Sequence, residues 1–124
     1  MDAALLAQAH AALAAWQRGD VSALEPLLDP EVELLWWEPG DWDCHGREAV
    51  LSLLRERADK GAGGAEWDLI EAGEALVVAR LELVTQGPEA GTTPATLITF
   101  RNDKVVSMRR FRSREEALAA LARS

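Results

Sequence analysis

A chain of 124 residues is the length of one domain and buries enough of its unfolded surface, roughly two-thirds, to fold without a disulfide or a metal. Hydrophobic residues at 48% and charged residues at 27% give a globular composition, and no apolar run approaches the roughly 20 residues of a membrane span. A net charge of −8 repels phosphate backbones and anionic lipid, so neither nucleic acid nor a membrane is an expected partner. The single cysteine, Cys44, has no intrachain partner for a bridge, and a cytoplasmic location is the expectation.

The first 17 residues are alanine-rich, but Asp2 stands where a secretory leader is basic, and Gln8 and His10 interrupt the apolar stretch, so this segment reads as a helix of the mature protein. Leu5, Ala9, Ala12, Leu13 and Trp16 recur at helical spacing, and Gly19 stops the run as a capping glycine does. Asp20 suits the N-cap of a short second helix carrying Val21, Leu24, Leu27 and Leu28, ended by Asp29-Pro30. Residues 32–37 are β-branched, aliphatic or aromatic without helical spacing, which predicts a strand broken by Glu38-Pro39-Gly40. A polar loop leads to a third helix over 46–59, with Val50, Leu53 and Leu54 on its buried face and Arg55, Glu56 and Arg57 exposed near its end. After a glycine-rich turn at 61–64, strands are predicted at 66–72, 75–85, 95–101 and 104–112. Gly73-Glu74 and Asn102-Asp103 are tight turns and 86–93 a longer loop, which implies an antiparallel meander. Ser113 and Glu116 form a capping box for a last helix with Ala117, Leu118 and Leu121. The result is a single α+β domain over 1–124, of order αα-β-α-ββββ-α. The basic residues Arg101, Lys104, Arg109, Arg110, Arg112 and Arg114 crowd one late stretch and read mostly as solvated strand edges and a helix start.

This order, together with AAWQRGDVSALEPLLDPEVEL, CHGREAVLSLLRE and TLITFRNDKVVSMRRFRSREEALAAL, resembles the nuclear transport factor 2-like superfamily, and most closely its SnoaL-like bacterial branch, related to polyketide cyclases and ketosteroid isomerase. The resemblance implies a cone-shaped fold in which a strongly curved, mainly antiparallel sheet wraps around helices and encloses a cavity, and a homodimer joined through the sheet. The superfamily hosts isomerases, cyclases, epoxide hydrolases, dehydratases and noncatalytic carriers, and fold alone does not choose among them.

The acid/base set of steroid isomerisation is not retained. Its tyrosine position falls at Ala12 in a chain with no tyrosine, its base at Trp36 or Trp37, and its aspartic acid at Thr96. The two carboxylates across an arginine that epoxide hydrolases of this fold use are not identifiable from sequence. For cyclase-type chemistry the candidate acid/base residues are Asp41, Asp43 and His45, all on the loop after the first strand. Cys44 beside His45 is a weaker nucleophile candidate. His10 is the only other histidine, so a metal site is not expected; no cofactor is expected either.

Strand alternation places Val77, Ala79, Leu81 and Leu83 toward the cavity and Arg80 and Glu82 away from it. With the superfamily's pocket positions as a guide, Ala12, Trp16, Leu34, Trp36, Thr96, Ile98, Met108, Arg110 and Arg112 complete a mostly apolar chamber. Arg110 and Arg112 suit an anionic ligand; otherwise they are hydrated at the rim or paired with Glu33, Glu38 or a second subunit. Trp36, Trp37, Trp42 and Trp67 read either as core and interface or as a stacking wall, with Trp42 lid-like. The leading expectation is a noncatalytic, homodimeric small-molecule-binding protein whose unidentified ligand is anionic or flat and hydrophobic. The alternatives are an enzyme of the cyclase, isomerase or dehydratase kind, and a protein-interaction module with a filled cavity. Arg80, Glu82, Leu97, Thr99, Ser107 and Arg109 form the expected dimer face.

Overall fold

A computed structural model describes residues 2–38, 40, 43–59, 66–73, 75–85, 87 and 89–123. The glycine turn expected at 61–64 lies outside them. Helix α1, Ala3–Gln17, ends in a Schellman motif: Gly19, at φ +89°, donates to the Trp16 carbonyl at 2.8 Å, and Asp20 donates to the Ala15 carbonyl at 2.9 Å.

The expected second helix is a correction. Only a 3-10 turn, Glu25–Leu27, forms there. Pro26 brings no N–H and disfavours a helical Glu25 before it, while the Asp20 carboxylate holds Ser22 through both its N–H, at 3.0 Å, and its hydroxyl, at 2.6 Å, in a local turn. The leucines still point inward, with Leu27 and Leu28 buried. Strand β1, Leu28–Leu35, therefore starts four residues earlier than the sequence suggests and takes Asp29-Pro30 into its bulged first half.

A short strand β2, Cys44–His45, precedes helix α2, Arg47–Asp59, and is followed by β3, Trp67–Ala72, β4, Ala75–Arg80, β5, Ala95–Arg101, β6, Lys104–Phe111, and helix α3, Arg114–Ala122. The strands form one mixed sheet in the order β2-β1-β6-β5-β4-β3. The β3–β6 meander is antiparallel, whereas β1 runs parallel to β6. Strand β4 stops at Arg80, not 85, because its next ladder partner is Pro94, which accepts from the Arg80 N–H at 2.9 Å but has no N–H to return. Beyond it, Val84 donates to Thr92 and Gly91 donates to Val84, both at 2.8 Å, so these three residues pin the two ends of the 84–92 loop together.

Two cores form on opposite faces of this sheet. On one, Trp16 of α1 and Val50, Leu51 and Leu54 of α2 pack with Leu28, Val32, Leu34 and Val105. On the other, Ala117 of α3 sits against Val77, Ala79, Ala95 and Phe111. Among the described residues no helix is long and apolar enough to cross a membrane.

Candidate functional site

Between α1, α2 and the inner face of the sheet lies a cavity of about 710 Å³. Its wall is mostly apolar: Ala12, Leu13 and Trp16 from α1, Leu53 and Leu54 from α2, Leu34 from β1 and Trp36 just past its end, and Leu76, Val78, Ile98, Phe100 and Met108 from the meander. Trp16 is fixed from both sides. Its indole N–H donates to the Leu54 carbonyl at 3.0 Å, and its ring meets that of Trp67 edge-on, 5.7 Å between centroids.

The polar lining is dominated by arginines, with the part-buried carboxylate of Glu89 among them. Arg110 is 8% exposed. Its Nε donates to Glu89 Oε2 at 2.7 Å, its Nη2 to Glu89 Oε1 at 3.1 Å, and its Nη1 to the Thr96 hydroxyl at 2.8 Å. This is the bidentate geometry that makes a guanidinium–carboxylate pair strong. Glu89 comes from the pinned 84–92 loop, whose Thr92 hydroxyl and N–H both donate to the Glu89 carbonyl. Arg57 enters from α2 with its guanidinium 5.4 Å from the Trp36 ring centroid. Burial pushes its pKa down from the ordinary guanidinium value to about 10, the nearby positive Arg110 adds to that, and Glu89 opposes it. Arg80 enters from β4 opposite Trp67, the ring over which Arg110 lies at 5.8 Å. The Nε of Arg80 is buried without a hydrogen-bond partner among the described residues.

Of the residues assigned to the cavity from sequence, Ala12, Trp16, Leu34, Trp36, Thr96, Ile98, Met108 and Arg110 line it together. The face assigned to β4 is a correction. Leu76, Val78 and Arg80 line the cavity, whereas Val77 and Ala79 pack in the core under α3. Strand β4 is covered on both faces, so polarity along it carries no sign of which side is inward. Leu81 and Leu83 lie past the strand end, 52% and 59% exposed. Arg112 is outside the cavity and exposed, with Glu38 at 3.3 Å and the Trp37 ring at 5.3 Å. Trp37 stacks in turn on Trp36, 4.6 Å between centroids, so the ring at the cavity wall belongs to a series Arg112, Trp37, Trp36, Arg57.

The loop candidates for chemistry are placed elsewhere. Asp43 accepts the Trp36 N–H at 2.8 Å and so pins the loop to the end of β1. His45 pairs in register with Glu33, and its exposed ring faces Glu33 Oε1 at 3.4 Å over a shallow outer concavity shared with Asp29 and Glu31. Asp41 and Trp42 lie outside the described residues. Burial pushes the Cys44 thiol pKa up, with Arg57 opposing and Asp43 adding to the rise, the reverse of an activated thiolate. Around Arg110 lie one carboxylate, Glu89, and the Thr96 hydroxyl, so among the described residues no second carboxylate is bonded to this arginine. No three His, Cys, Asp or Glu side chains among the described residues converge as metal ligands.

Arg57, Arg80 and Glu89 are among the cavity residues that the sequence did not reveal. Arg57 had a legible signal, since it continues the stripe of Val50, Leu53 and Leu54 at helical spacing. Glu89 had none, being a charged residue in a glycine- and proline-bearing loop.

The sequence model of the SnoaL-like domain matches residues 9–108. No curated protein sequence matches the chain. Among solved structures, an NTF2-like protein of unknown function from Mesorhizobium loti superposes with a TM-score of 0.64 at 19% identity, covering 86% of this chain and 88% of that one. An NTF-2 like protein of unknown function from Burkholderia xenovorans LB400 gives 0.66 at 19% identity, covering 88% and 82%. A SnoaL-like protein of unknown function from Burkholderia thailandensis E264 gives 0.65 at 17%, covering 90% and 97%. At these identities the likeness extends to the fold.

Proposed function

Because the chain belongs to the SnoaL-like domain family, in which one fold carries many activities, its role is to be argued from the cavity, and we propose that it is a noncatalytic small-molecule-binding protein. The observation that carries this is the composition of the wall: a chamber of about 710 Å³ bounded by leucines, alanines and the rings of Trp16, Trp36 and Trp67, with its polar groups few and convergent. Small-molecule sites are commonly built this way. The ligand has a flat or hydrocarbon body that lies against the indoles. The positions of Asp43 and His45, one pinning a loop and the other on the outer surface, favour binding over acid/base chemistry.

In this reading the sheet bends around α1 and α2, helped by the register shifts in β1 and between Thr99 and Phe100, and the protein is a cytoplasmic homodimer. Leu97, Thr99, Ser107 and Arg109 share the outer face and supply the dimer contact, while Arg80 belongs to the cavity. Sedimentation tests the dimer, and a monomer at micromolar concentration contradicts it. Ligand binding is tested by titrating the neutral fluorophore N-phenyl-1-naphthylamine into the wild type and Ala12→Phe. The proposal requires saturable binding in the wild type that the larger side chain blocks. Equal enhancement in both proteins, or none in either, refutes it.

A further inference from the structure

We infer that the ligand is an organic acid, its carboxylate seated on Arg57 and Arg80 while its apolar body fills the cavity. This rests on the reading of the cavity as a ligand site, and adds the chemical class that the site selects. Three guanidinium groups line the chamber, and Arg110 is the one whose donors are matched by protein groups, Glu89 and Thr96. Arg57 and Arg80 are different. Among the described residues no carboxylate lies within ion-pair distance of either, and the Arg80 Nε is buried with nothing to donate to. The other carboxylate on the lining, Glu56, is an exposed residue of α2.

Burying a cation without a counterion is unfavourable, and a ring face such as that of Trp36 under Arg57 offsets only part of the loss. The chamber thus holds a surplus of positive charge in an otherwise negative protein, next to a large apolar volume. A ligand that satisfies both is amphipathic and anionic. Glu89 indicates which anion, because it presents a carboxylate in this same chamber and Arg110 grips it side-on through two nitrogens. Arg112 is not part of this seat, being exposed and paired with Glu38.

The experiment compares octanoate with 1-octanol, which share a hydrocarbon chain and differ in charge, by calorimetric titration of the wild type, Arg57→Met and Arg80→Met, with folding checked by circular dichroism. Octanoate is expected to bind the wild type roughly tenfold or more tighter than 1-octanol, as a charge-assisted bidentate contact does over a neutral one. Each methionine variant is expected to bring octanoate down toward the alcohol and leave the alcohol unchanged, and Arg80→Lys to restore part of the difference. Equal affinity for the two probes in the wild type, or variants that weaken both alike, overturns the carboxylate seat and leaves the apolar site standing. Binding of neither probe overturns the cavity reading itself. Octyl phosphate binding more tightly than octanoate assigns the seat to a phosphate and contradicts the class named here.

Discussion

Arg110 and Glu89 meet through two parallel hydrogen bonds, 2.7 Å and 3.1 Å, with side chains only 9% and 12% exposed, and this pair ties the 84–92 loop to β6 across the wall of the cavity. Removing one partner strands the other charge in a place that water scarcely reaches. Glu89→Ala is therefore expected to lower unfolding free energy by about 3 kcal/mol or more in urea denaturation. The double variant Glu89→Leu/Arg110→Met is expected to recover most of that loss, because no buried charge is left unmatched. Additive losses contradict a coupled pair.

Arg57 gives a prediction with a definite pH sign. Its folded pKa, about 10, lies below the ordinary guanidinium value, because burial disfavours the charged form. Between those values the unfolded chain binds the extra proton, so the wild type gains stability as pH rises through about 10, and below that the full burial penalty is present. Arg57→Met is expected to be more stable than the wild type near neutrality. Its advantage should shrink as pH rises above about 10, which paired thermal melts at several pH values would follow. An advantage independent of pH contradicts the assignment.

Trp16 anchors α1 to α2 through its indole N–H on the Leu54 carbonyl. Trp16→Phe keeps most of the apolar volume and removes that donor, and an expected loss of about 1–2 kcal/mol follows from the broken bond and the carbonyl left without it. Chemical denaturation measures the loss, and no change means that the contact does not hold the helices together.

The turn joining β5 and β6 has positive φ at both central residues, 54° at Asn102 and 63° at Asp103. Such a turn matches the twist of a hairpin, and its second position favours glycine. Asp103→Gly is expected to stabilise the protein by a few tenths to about 1 kcal/mol. A loss of stability in the same denaturation assay would show that the Asp103 side chain contributes something the turn geometry does not.

Helical spacing made α1, α2 and α3 legible, and turn chemistry made the meander legible, because both depend on residues close in sequence. The second helix failed at Pro26, where the apolar spacing of Val21, Leu24 and Leu28 outweighed a local backbone veto that the sequence displayed. The cavity was readable where one face of an element is polar. It was not readable on β4, whose Val77 and Val78 are buried on opposite sides, so alternation gave a parity but no direction. Placing Arg80 outside followed from treating charge as a solvent marker, and the site depends on the exceptions to that rule. Glu89 required knowledge of how Val84 and Thr92 close their loop, a tertiary fact with no periodic trace.

Whether an apolar ligand is held inside the fold can be read from intermolecular nuclear Overhauser effects between N-phenyl-1-naphthylamine and assigned methyl groups. Contacts to Ala12, Leu34, Ile98 and Met108, which come from four different elements and meet only in the cavity, are the predicted result. Contacts confined to the exposed Leu81 and Leu83, with none to those four, would place the probe on the surface and contradict binding inside the fold.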